Sequence, residues 1–210
     1  MRSGHFHFLG RFVWDRAAAT AAEFALVVPL LLLFLFGIID VGRFMWEVNR
    51  AEKATQMGVR FAAVTNMVPN VLGTTDFALT VTQGSPVPLA SFAGTRCRAG
   101  ACSNAVPTAS CTSGASGSWG YDGVAFNLIT DRMMAMYPLI TANNVEIDYT
   151  NSGLGFAGDP NGSDVSPLIT VRLCGMQFTP ITTQIFGLNT PMPSVASSLT
   201  MEDGAGTVSN

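Results

Sequence analysis

Glu23 is the first residue whose position demands a chemical explanation. It stands at the head of Phe24 to Ile39 (FALVVPLLLLFLFGII), sixteen residues without a charge. A carboxylate inside a hydrocarbon layer costs roughly 3 kcal/mol on insertion scales, so such a group ordinarily has a partner. An ammonium on a neighbouring chain, or a new amino terminus close by, would serve. The plainer alternative is a glutamate near a helix start that reaches the interface and favours the helix dipole.

Four cysteines come next: Cys97, Cys102, Cys111 and Cys174. An even number beyond an export signal reads as two disulfides, with three pairings open. A short bridge from Cys97 to Cys102 or Cys111, and a long one to Cys174, is the favoured arrangement. The absence of any C-x-x-C argues against a zinc or redox site. Both histidines, His5 and His7, precede the apolar run. The remainder of the chain therefore has no histidine for a Ser-His-Asp or Cys-His mechanism, or for a His-based zinc site. Glu146 and Asp148 alternate on one strand face and read as solvated. Asp159 and Asp164 share a polar loop that lacks the distal glutamate of a calcium loop. Asn161-Gly-Ser163 is a tripeptide glycosylation match and nothing more. There is no Walker loop or dinucleotide fingerprint, so neither catalysis nor a cofactor is expected.

The elements that hold these residues follow from composition and period. Only 12% of the 210 residues are charged, about half the share of an average soluble domain. A net charge of −3 leaves no electrostatic footprint for nucleic acid. Residues 17–39 read as a transmembrane helix in contact with the lipid bilayer. At 1.5 Å per residue they reach about 35 Å, against a hydrocarbon core of ~30 Å. Pro29 removes one backbone hydrogen bond, to the carbonyl of Ala25, which membrane helices tolerate. Arg2, Arg11 and Arg16 against Asp15 make residues 1–16 a basic leader. That excess predicts an N-inside orientation with the rest of the chain exported.

Beyond the span, Val41, Phe44, Met45, Val48, Ala51, Thr55, Val59 and Ala62 recur at three- and four-residue intervals. They predict an amphipathic helical stem over 40–66. Residues 67–210 then read as an extracytoplasmic domain, loop-rich over 67–120 apart from a short strand at Thr80–Thr82. A second helix is predicted over Asp122–Tyr137 and strands over 143–149, 168–173 and 195–201. A helical turn falls at Ile181–Leu188. The expected class is α+β: a long N-terminal helix and a small antiparallel-sheet domain.

The most specific stretch is Arg16-Ala-Ala-Ala-Thr-Ala-Ala-Glu-Phe-Ala-Leu-Val-Val-Pro29, followed by Gly37-Ile-Ile-Asp-Val-Gly-Arg43. It resembles the TadE-like pseudopilins, with their EFALV-x-P signature and G-I-x-[ED]-x-G-R stretch. Glu23, Phe24, Pro29, Gly37, Asp40, Gly42 and Arg43 occupy the motif positions, and Gln56, Gly58, Arg60 and Ala62-Ala63 continue the pattern approximately. The resemblance implies a structural, non-enzymatic component of a tight-adherence (Flp) pilus in the inner membrane, its C-terminal domain in the periplasm or outside the cell. Its partners would be other pseudopilins or pilus platform proteins. It also implies cutting by a prepilin peptidase five residues ahead of Glu23, between Ala18 and Ala19, where family members more often carry Gly at the first position. The new amine would then pair with Glu23 during assembly. The rival reading is a membrane-tethered extracytoplasmic binding or adhesion module that uses the cysteine-containing loops.

Overall fold

The computed structural model describes residues 16–104, 108–111, 117–184 and 187–202. The basic leader and both histidines lie outside them. The class is α+β as expected, with a long N-terminal helix followed by a small antiparallel sheet. The chain divides into two compact units. One comprises residues 1–45 and 179–190, the other 46–178 and 191–210.

Helix α1, Arg16–Ala62, is continuous for 47 residues with Pro29 inside it. Its second half belongs to the larger unit, where Ala51, Thr55, Val59 and Ala62 of the expected stripe are buried; Val41 and Met45 of that stripe are exposed, and the helix ends at Ala62, short of residue 66. Ala51, Ala54, Thr55, Gly58, Val59 and Ala62 are buried, while Glu52, Lys53, Gln56 and Arg60 are exposed. After a turn come α2, Asn70–Thr74, and a 3-10 turn, Phe77–Leu79. The strand expected at Thr80–Thr82 is therefore absent. The Phe77 carbonyl accepts from Thr80 N and Val81 N, closing a turn where an extended chain was predicted.

The 67–120 stretch is also less irregular than expected. It supplies β1, Gly94–Arg98, and β2, Ala101–Ser103, joined by a tight turn through Gly100 at φ +93°. Helix α3, Gly123–Met136, follows; the Asp122 carboxylate caps it by accepting from Val124 N and Ala125 N at 2.8 and 3.1 Å. Next come β3, Val145–Thr150, and β4, Leu168–Leu173. Two-residue strands β5, Gln177–Phe178, and β6, Thr190–Pro191, flank the excursion into the smaller unit, which contains α4, Ile181–Gln184. Strand β7, Val195–Thr200, ends the described elements.

The main sheet is antiparallel, in the order β2-β1-β3-β4-β7. Register sets its two faces. Cys97 pairs with Ile147, and Ile147 with Val171, putting Val145, Ile147, Tyr149, Ile169, Val171 and Leu173 on one side. These are buried, as are Phe126, Ile129 and Met133 of α3 and the small residues of the second half of α1. Gly58 marks a close approach of α1 to α3 and β4. A Cβ there would lie 2.8 Å from Met133 Cγ and Sδ and 3.3 Å from Val171 Cγ1.

Candidate functional site

Two groups of residues could carry function: the N-terminal half of α1 and the polar face of the sheet. On the helix, apolar side chains are displayed instead of packed. Phe24, Leu26, Leu30 and Phe34 are each about three-quarters exposed, a surface that water solvates poorly. Among the described residues this is the one helix long and apolar enough to cross a membrane. Glu23 is exposed on the same surface. The Ala18–Ala19 bond lies in the first turns of the helix, with the Ala19 side chain exposed. A Cβ added at Gly37 or Gly42 would meet nothing within 4 Å. Among the described residues nothing packs there, so these glycines leave room on the helix surface.

Asp40 behaves differently from its neighbours. It is buried, and its carboxylate accepts from the backbone N–H of Ile181 at 2.7 Å and of Thr182 at 2.9 Å. The Thr182 hydroxyl donates at 2.8 Å, and Arg43 Nη1 approaches at 3.3 Å. One side chain of α1 therefore serves the otherwise unpaired amides at the start of α4, the part that an N-cap residue plays from within a segment. Within the smaller unit, Asp40 ties two stretches 141 residues apart.

The polar face of the sheet corrects the expectation for Glu146 and Asp148. They were expected to be solvated and are almost wholly buried, at 0% and 2% exposure. Antiparallel register places Arg96 beside Asp148 and Arg172 beside Glu146. Arg96 grips Asp148 through Nε at 2.6 Å and Nη2 at 2.9 Å, and also donates to the carbonyls of Thr108 and Ser110. Arg98 Nε lies 3.2 Å from Glu146, and Arg172 Nη2 lies 3.7 Å from Asp148. The hydrogen bond to Asp148 holds Arg96 above its ordinary pKa. Burial pushes Glu146 above the usual carboxylate range despite the nearby guanidiniums. The missed signal was the arginine pair Arg96-x-Arg98, which matches Glu146-x-Asp148 in spacing and is opposite to it in sign.

The cysteines pair as Cys97–Cys102, across β1 and β2, and Cys111–Cys174, with Cα separations of 4.0 and 6.0 Å. Cys111, Glu146 and Cys174 lie close enough to share a metal ion. Both sulfurs are committed to the disulfide, so the trio offers no thiolate, and a lone carboxylate is a poor metal site. Asp159 and Asp164 likewise serve the backbone. Asp164 accepts from Phe77 N at 2.7 Å and Asp159 N at 3.0 Å, while Asp159 accepts from Asn161 N at 2.9 Å.

A family model described as TadE-like protein matches residues 18–60, about a fifth of the chain. The match covers Glu23, Pro29, Gly37, Asp40, Gly42 and Arg43 and ends in the buried part of α1. Comparison with curated proteins and with solved structures gives no match.

Proposed function

We propose that this chain is a TadE-like minor pseudopilin or assembly component of a Tad (Flp-type) pilus, structural and not catalytic. The observation that carries this reading is the coincidence of the family match with a helix whose apolar side chains are exposed over residues 24–34. The helix would sit in the inner membrane with its N-terminus inside and the sheet domain in the periplasm or beyond. Its open surface at Gly37 and Gly42 suits close approach by another helix, because small residues let backbones meet. Other pseudopilins or the pilus platform are the expected neighbours.

In this reading Glu23 is the assembly carboxylate. A prepilin peptidase cutting between Ala18 and Ala19 would create an ammonium five residues from it, on its own chain or on the next subunit. Glu23→Ala and Glu23→Leu should leave membrane insertion intact and lower the yield of assembled pili several-fold, scored by shearing and immunoblotting. Piliation at the wild-type level in both variants would refute the role. Mass spectrometry of the mature protein bears on processing. A chain starting at Ala19 supports the pseudopilin assignment, whereas an intact leader in assembled protein counts against cleavage.

A further inference from the structure

We infer that residues 179–184 and 187–190 form a membrane-interface element, seated by Asp40 at the lipid surface with Ile181 and Leu188 in contact with phospholipid. The inference rests on the reading of α1 as a membrane span and adds a second point of lipid contact to it.

Position is the first argument. The charge-free run of α1 ends at Ile39, and Asp40 is the next residue. The segment that Asp40 holds through Ile181 and Thr182 therefore lies level with the point where the helix leaves the hydrocarbon. The segment also packs with residues 1–45 as one compact unit, although the chain on either side of it belongs to the other.

Composition is the second. From Leu173 to Met201 there is no Asp, Glu, Lys or Arg, the longest charge-free stretch in the chain. A loop lying against a bilayer needs no charge; one displayed in water usually carries some. Ile181 is 39% exposed and Leu188 59%. Both are large aliphatic side chains with no described cover.

Backbone satisfaction is the third. Peptide groups near hydrocarbon must find partners internally. Asp40 satisfies Ile181 N and Thr182 N. Gly187 N donates to Gln184 O, and Leu188 N to Thr183 O. The Thr183 hydroxyl donates to Leu188 O, and the Thr179 hydroxyl to Asn189 Oδ1. These bonds pair described parts of the segment with one another and with Asp40, while Ile181 and Leu188 stay exposed. Because it has no cations, it should select no anionic headgroup. The contact is with the acyl–headgroup boundary of any phospholipid, not with a polybasic-type lipid site.

The test uses the full chain reconstituted in phosphatidylcholine vesicles, spin-labelled at a single introduced cysteine and probed by collision with oxygen and with an aqueous nickel chelate. Leu33→Cys reports the span, Leu188→Cys the segment, and Asn161→Cys the polar loop of the other unit. The oxygen-to-nickel ratio at position 188 should exceed that at 161 several-fold and stay unchanged when anionic lipid is added. Asp40→Ala should reduce it to the level at 161, and Asp40→Asn, which keeps one acceptor oxygen, should give an intermediate value. A lipid-like reading at 33 with a water-like reading at 188 would overturn the inference while leaving the span in place. A water-like reading at 33 would remove the span and the inference together. A lipid-like ratio at 188 that persists in Asp40→Ala would overturn the seating by Asp40.

Discussion

Asp164 and Glu146 are both buried carboxylates, and burial alone favours the protonated form of each. At Asp164 that push is outweighed by the backbone N–H groups of Gly158, Phe77 and Asp159, which hold the carboxyl below the ordinary range. At Glu146 burial prevails over Arg96 and Arg98, and the carboxyl stays above it. The two groups tilt stability in opposite directions with pH. The contribution of Asp164 is complete above its unfolded value, about 4, and is lost as pH falls through its lower folded value. The contribution of Glu146 is complete below its unfolded value, also about 4, and is lost as pH rises through its higher folded value. Urea midpoints of the detergent-solubilised chain should separate them. Asp164→Asn should weaken the protein at neutral pH by about 1–3 kcal/mol and flatten the acid limb of the profile. Glu146→Gln should flatten the decline above about pH 4. Profiles parallel to the wild type in both variants would mean that neither carboxylate is linked to folding.

Helix α1 changes role along its length, and Gly58 shows why its second half is made of small residues. Alanines at 51, 54 and 62 are buried, and glycine at 58 lets the helix backbone come close to Met133 of α3 and Val171 of β4. Gly58→Leu should cost about 1–3 kcal/mol by overpacking, read as a lowered midpoint in thermal unfolding, whereas Gln56→Leu on the exposed side should be close to neutral. This helix was legible in the sequence because its period and its apolar run are both long. So were β3 and β4, whose Val145, Ile147, Tyr149 and Ile169, Val171, Leu173 alternate openly. Strand β1 was not. Gly94-Thr-Arg-Cys-Arg98 has arginines where a strand normally shows water-facing polar groups, and its core-facing residues are only Thr95 and Cys97. Its identity as a strand depends on Glu146 and Asp148 lying across from it, and tertiary pairing of that kind leaves no local signature. The same blindness hid the burial of those two acids. An isolated Glu-x-Asp on a strand looks solvated until its partners, some fifty residues earlier in the chain, are known. The role of Asp40 toward residues 181–182 was hidden for the same reason, even though its motif position had been singled out.

At the scale of the molecule, charge and covalent links are distributed in a way that composition alone does not show. Residues 61–210 hold four arginines, and three of them, Arg96, Arg98 and Arg172, are spent on Glu146 and Asp148 inside the fold. The fourth, Arg132, stacks over the Phe61 ring at 5.1 Å. All four arginines of residues 61–210 are thus engaged within the fold. The Cys111–Cys174 bridge spans 63 positions and fastens the segment that covers the buried ion pairs. Replacing both residues by serine should cost about 2–4 kcal/mol and also loosen the hold of Arg96 on Thr108 and Ser110. The Cys97–Cys102 double serine variant, which opens a loop of only a few residues, should cost clearly less. Urea titrations of the two variants would decide the order; equal losses would contradict it.

Order of arrival gives the longer bridge a further consequence. In a chain delivered N-terminus first, Cys102 follows Cys97 almost at once, so that pair can oxidise early. Cys111 must wait as a free thiol until Cys174 has been delivered, by which time every strand but the last three is available. Closure of the second bond therefore reports that the sheet is nearly assembled, and the interval before it is when the protein is open to mispairing and to thiol-exchange catalysts. A pulse-chase with thiol trapping would catch that half-oxidised species, and slowing oxidation with added reductant should lengthen its lifetime.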